Sequence, residues 1–154
     1  MFGFVRLVAV AFVLVGLGAC ASTPDQLPVG QQPATPGSVQ DFTVNVGDRV
    51  FFETDQVTLT AEGQITLDRQ AAWLTQYPQY RITIEGHADE RGTREYNLAL
   101  GARRAAATRD YLIARGVSPS RIQTISYGKE RPVATCNDIT CWSQNRRAVT
   151  VLSQ

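Results

Sequence analysis

The stretch Tyr80-Arg-Ile-Thr-Ile-Glu-Gly-His-Ala-Asp89, continuing through Glu90-Arg-Gly-Thr-Arg-Glu-Tyr-Asn97 into Leu98-Ala-Leu-Gly-Ala-Arg-Arg-Ala105, decides the fold. From Tyr80 to His87 the residues alternate, with Ile82 and Ile84 on one face and Thr83, Glu85 and His87 on the other. That is the two-residue period of a strand. From about residue 95 to about residue 115 the period becomes helical. Gly101, Ala105, Thr108 and Leu112 form the inward stripe, and Gly116 is placed to stop the helix.

Working outward, Thr60 is positioned to cap a helix running through Tyr77, with Leu67, Ala71 and Leu74 at helical spacing and Pro78 preventing continuation. Val50-Phe51-Phe52 reads as a short buried strand. Phe42, Val44 and Val46 alternate and predict another, ending at Gly47-Asp48. After α-type residues end at Gly116, Ser118-Pro119 begins a single turn, and strands follow near Arg121–Tyr127 and Ala148–Leu152. The order β-β-α-β-α-β-β predicts an α+β domain, a small mixed sheet covered by two main helices on one face.

The N-terminus reads as an address. Arg6 precedes an eleven-residue apolar run from Leu7 to Leu17, too short for a mature span of about 20 residues but suited to a secretory signal. Leu17-Gly18-Ala19-Cys20 is similar to a bacterial lipobox, in which Cys20 takes a diacylglyceryl group and cleavage removes residues 1–19. The expected cofactor inventory is therefore empty apart from acyl chains on Cys20. Residues 20–40 hold four of the seven prolines (Pro24, Pro28, Pro33 and Pro36) and no aromatic residue, and are read as a flexible tether. The folded domain is expected over residues 41–154.

Composition narrows the function. The chain has 154 residues, 44% hydrophobic and 19% charged, enough for one core and inconsistent with wholesale disorder. Fifteen basic and fourteen acidic side chains give a formal charge of +1. Without a basic field, binding to nucleic acid is not expected. With Cys20 assigned to the lipid, Cys136 and Cys141 remain, five positions apart in a polar loop, and in an exported protein they read as a local disulfide. The alternative, a metal pair, lacks a second pair of ligands nearby.

Asp89 sits in the turn after the strand. Asn97 and Arg104 are seven residues apart, within about 20° of one face of a helix. A carboxylate, an amide and a guanidinium brought together this way suit a zwitterion: the Asp for an ammonium, the Arg for a carboxylate, the Asn as a bridge.

Val50-Phe-Phe-Glu-Thr-Asp55, Glu85-Gly-His-Ala-Asp-Glu-Arg-Gly-Thr93, Tyr96-Asn97, Gly101-Ala-Arg-Arg-Ala105, Ser126-Tyr-Gly-Lys-Glu130 and Asn145-Arg-Arg-Ala148 together resemble the OmpA-like peptidoglycan-binding domain family. The lipobox and tether add the layout of its lipid-anchored members. The resemblance implies non-covalent binding of meso-diaminopimelate in peptidoglycan, Asp89 and Arg104 matching the pair that holds its ammonium and carboxylate. Asn97 and Arg146 match accessory pocket residues, and Phe52, Glu53 and Asp55 match a loop closing over the ligand. Glu53 departs from the Asp common at its position, and the segment carrying Cys136 and Cys141 departs from the enterobacterial form. The implied location is the outer membrane, facing the periplasm. The implied partners are peptidoglycan and, in the Tol–Pal system that supports envelope integrity and cell division, TolB and other Tol components.

An enzyme is not expected. Its best case would place Glu85, His87 and Asp89 on one strand face as a metal or acid–base site, but His87 is the only His in the chain and no nucleophile motif is present.

Overall fold

The computed structural model describes residues 34–154. The signal segment, Cys20 and the tether as far as residue 33 lie outside the described residues. Four strands, β1 (Arg49–Phe51), β2 (Arg81–His87), β3 (Ile122–Gly128) and β4 (Arg147–Ser153), form one sheet in the order β1-β4-β2-β3. β4 runs antiparallel to both β1 and β2, while β2 and β3 are parallel. The helices are α1 (Val39–Asp41), α2 (Ala61–Gln76), α3 (Arg94–Ala114) and α4 (Ile139–Asn145). The fold is α+β, as the alternating pattern predicts. Among the described residues no helix is long and apolar enough to cross a membrane.

The two long helices end where local chemistry ends them. The Thr60 hydroxyl accepts from the Gly63 N–H at the start of α2, and the Thr93 hydroxyl accepts from the Tyr96 N–H at the start of α3. Each satisfies a donor that has no partner inside its helix. After α3, Gly116 takes φ +95°, a conformation without penalty for glycine. Leu67, Leu74, Ala105 and Leu112 pack with Ile82, Ile84, Val50 and Ala148 of the sheet into one core. On the opposite sheet face Ile125 and Val151 remain exposed.

The predicted first strand is corrected. Phe42–Gly47 is a widened helical turn continuing α1, with Phe42 buried against Trp73 and Val44 exposed. The physical reason is an ambiguity of spacing: Phe42 and Val46 are two strand periods apart, yet also one helical turn apart. Asp41 settles the choice by accepting from the Trp73 indole N–H at 2.9 Å and from the Asn45 amide at 2.8 Å. Ahead of Asp41, the Gly37 carbonyl accepts from the Tyr80 hydroxyl at 2.9 Å. Helix α4 is a second difference, in a segment read as loop. Asp138 caps it by accepting from the Thr140 N–H, and Asn145 closes it by bonding the main chain of Val133 and Ala134.

One close approach positions the site. At Gly86, a β-carbon would fall inside the van der Waals envelope of the Gly101 carbonyl, so α3 lies directly against the end of β2. The Ser126 hydroxyl pins the same turn of α3 from β3 by donating to the Leu98 carbonyl at 2.7 Å. A register shift between Gly86 and His87 then ends the strand and aims the chain outward to Asp89.

Candidate functional site

Asp89 stands at the mouth of a cleft of about 200 Å³ lined by Thr54, Asp55, Asp89, Arg91, Gly92 and Tyr96. It is 7% exposed and heavily engaged. The Arg91 N–H and Nε donate to Oδ1, both at 3.1 Å, and Arg91 Nη2 donates to Oδ2 at 2.7 Å. Buried Arg146 approaches the same Oδ2 at 3.4 Å. Burial opposes ionisation of Asp89, but the hydrogen bonds and charge of Arg91, with Arg146 behind, outweigh it and hold the carboxyl below its ordinary range. The site is therefore a buried anion on the cleft wall, its oxygens held by Arg91 and Arg146.

Arg104 lies on the inward face of α3 and is fully buried, whereas neighbouring Arg103 is exposed. It clamps three carbonyls: Nη1 donates to His87 at 2.9 Å, Nε to Gln56 at 2.9 Å and Nη2 to Glu53 at 3.1 Å. Its guanidinium lies 5.2 Å from the centre of the Phe52 ring. Burial first, and then the nearby Arg146 charge, push its pKa down to about 10, which leaves it cationic at neutral pH. Arg146 in turn donates from Nε to the Phe52 carbonyl at 2.9 Å. Two buried arginines thus hold the 52–56 loop against the end of β2 and the turn that carries Asp89.

The structure places the expected ligand residues differently from one another. Asp89 and Asp55 line the cleft, Asp55 with φ 56° and an oxygen 3.3 Å from the Tyr96 hydroxyl. Arg104 and Arg146 sit below it as cationic supports. Asn97 is buried and donates to the Arg91 carbonyl at 2.8 Å, shaping the loop. Phe52 is buried beneath Arg104. The Glu53 side chain lines a separate groove with Phe51 and Thr60, because its carbonyl is turned inward to Arg104.

Sequence reading missed Arg91, Thr54, Tyr96 and Lys129. Lys129 donates to the Glu90 and Gly92 carbonyls at 3.1 and 2.7 Å and so holds the cleft loop. The available signal was the Asp89-x-Arg91 spacing, in which an Asp side chain turns back on the backbone two residues ahead. Of the acid–base grouping of Glu85, His87 and Asp89, the first two lie close together, while Asp89 is committed to Arg91 and Arg146. His87 is 2% exposed, its nitrogens have no hydrogen-bond partner among the described residues, and Glu85 stands 3.6 Å from Nε2. Cys136 and Cys141 are joined as a disulfide with Cα atoms 5.6 Å apart. Asp138 lies near both sulfurs but is occupied in capping α4.

The OmpA family model matches residues 51–146, which contain every element of this site. The chain belongs to the OmpA family. Among OmpA-family relatives, a peptidoglycan-associated lipoprotein of Rhizobium meliloti is 66% identical over 152 residues, covering 94% of this chain and 86% of that protein. The crystal structure of the peptidoglycan-associated lipoprotein from Burkholderia pseudomallei superposes with a TM-score of 0.70 at 40% identity, covering 74% of this chain and 98% of that one. The C-terminal domain of Helicobacter pylori MotB, at 24% identity and TM-score 0.65 over 70% of this chain and 84% of that one, shares the fold.

Proposed function

We propose that this chain is an outer-membrane lipoprotein that captures meso-diaminopimelate of peptidoglycan stem peptides without making or breaking a bond. The observation that carries the reading is Asp89: a carboxylate held ionised at a cleft mouth above two buried arginines. The ligand ammonium takes Asp89 oxygens now shared with Arg91, and its carboxylate faces the positive field of Arg146 and Arg104. The names of the relatives support peptidoglycan as the ligand.

Binding fits the site better than catalysis. A general acid or base needs a pKa near working pH, and Asp89 is shifted away from it. His87 is shut from solvent. Cys20 would carry the acyl chains, each buried methylene contributing about 0.8 kcal/mol to membrane anchoring. In this reading TolB and other Tol components are the protein partners, and the function is to tie outer membrane to cell wall during constriction.

Calorimetric titration of residues 34–154 with stem peptides ending in meso-diaminopimelate or in L-lysine tests the reading. Heat from the diaminopimelate form alone, abolished by Asp89→Ala, is the expected result. No heat from either peptide with folded protein would reject it.

A further inference from the structure

The oxygens of Asp89 are already occupied by a cation that belongs to the chain. Arg91 presents a fork to them, Nε at 3.1 Å and Nη2 at 2.7 Å, while remaining 41% exposed on its side chain. Its other face is covered: the guanidinium carbon lies 4.2 Å from the centre of the Trp142 ring. Trp142 is itself fixed, its indole N–H donating to Glu90 at 3.0 Å and its backbone N–H to Asp138 at 3.1 Å. It sits on α4, next to Cys141, and the disulfide ties the start of this helix to the preceding turn. Arg91 is thus flanked by a carboxylate and an indole while still open to solvent, a favourable geometry for a cation on both sides.

We propose that Arg91 is a built-in occupant of the Asp89 site, and that Trp142, held on the disulfide-closed α4, sets how readily an incoming ammonium displaces it. The proposal rests on the reading of Asp89 as an ammonium-binding carboxylate. A ligand meets a site that is competent only in the fraction of molecules whose Arg91 has swung out, so its apparent dissociation constant is the intrinsic one divided by that fraction. The exposed arginine can leave, whereas buried Arg146 and Arg104 cannot. The Trp142 stack adds to what the ligand must overcome, and so makes this cleft weaker and more selective than the bare carboxylate.

The direction of the effect is unusual for residues lining a binding cleft: removing them should tighten binding. In calorimetry with the diaminopimelate stem peptide, Arg91→Ala should lower the dissociation constant by about threefold to tenfold and Trp142→Ala by about twofold to fivefold. The Cys136→Ser/Cys141→Ser double variant should move it the same way as Trp142→Ala, and identical affinity would remove the disulfide from the clamp. Melting temperatures of each ligand-free variant separate these effects from loss of fold. Weaker or unchanged binding by folded Arg91→Ala would overturn the proposal, since Arg91 would then touch the ligand or stand aside. A second readout needs no ligand. Arg91→Ala should shift Trp142 fluorescence in the free protein, with Trp142→Phe showing the constant contribution of Trp73. An unchanged spectrum would overturn the stack. An intact stack with no peptide heat in wild type would instead overturn the diaminopimelate reading, and with it the clamp's control over that ligand.

Discussion

Arg104 donates through Nη1 to the main-chain carbonyl of His87 at 2.9 Å, so the inward face of α3 is bonded to the end of the strand that delivers Asp89. The same guanidinium reaches Gln56 and Glu53, and so ties strand end, loop and helix together.

Removing that guanidinium should damage both stability and binding. Arg104→Ala leaves the buried His87 carbonyl and the half-buried Gln56 and Glu53 carbonyls without their donor, and is expected to cost about 2–4 kcal/mol in urea unfolding. Arg103→Ala, one position away on the exposed face, should change stability by less than about 0.5 kcal/mol and leave peptide affinity intact. Equal effects from the two would contradict the geometry.

Peptide affinity should be nearly independent of pH from about 5 to 8. The Asp89 carboxyl is held below its ordinary range, so it stays ionised throughout this interval, and affinity should fall only when more acid solutions protonate it. Calorimetry across that range checks this. A steep loss near pH 6 would mean that a group other than Asp89 binds the ammonium.

His87 predicts a separate acid limb in stability. Burial, reinforced by the Arg147 and Arg131 charges, lowers its pKa to about 4, against about 6.5 in an unfolded chain. Between these values the unfolded state binds more protons, so stability is full above about pH 6.5 and is lost as pH falls towards about 4. The loss is limited to about 3 kcal/mol. His87→Leu should flatten that part of a melting-temperature profile. Little stability should be lost at pH 7.5, since among the described residues the imidazole nitrogens have no hydrogen-bond partners to lose.

Gly86→Ala should be more damaging than its size suggests. The added methyl would overlap the Gly101 carbonyl, forcing α3 off the sheet, with an expected cost of at least about 1–3 kcal/mol and displacement of Arg104 from His87. Native-like unfolding and peptide binding in this variant would show that the helix has room to move.

Much of the fold was legible because local chemistry agreed with the global arrangement. Thr60, Ile82, Ile84, the stripe from Gly101 to Leu112 and Gly116 each favour the conformation they adopt. Where a segment was too short for its period to be unique, as at Phe42–Val46 and Ile139–Asn145, a long-range partner or a cap decided it. The segment Asp89–Arg104 was legible as a charged constellation, but the role of each member was not.

By itself the sequence determined the class of domain, the ends of its principal helices, and the placing of Asn97 and Arg104 on one helix face. These follow from periodicity and capping, which act over one or two turns of chain. Tertiary structure alone decided which charges face solvent and which face each other. It buried Arg104 against carbonyls 17 to 51 residues away, turned Asn97 onto the Arg91 carbonyl, and placed Arg91 between Asp89 and Trp142. The reason is that a charge in a low-dielectric interior takes whatever partners packing places within hydrogen-bond reach, and those partners come from segments distant in the chain.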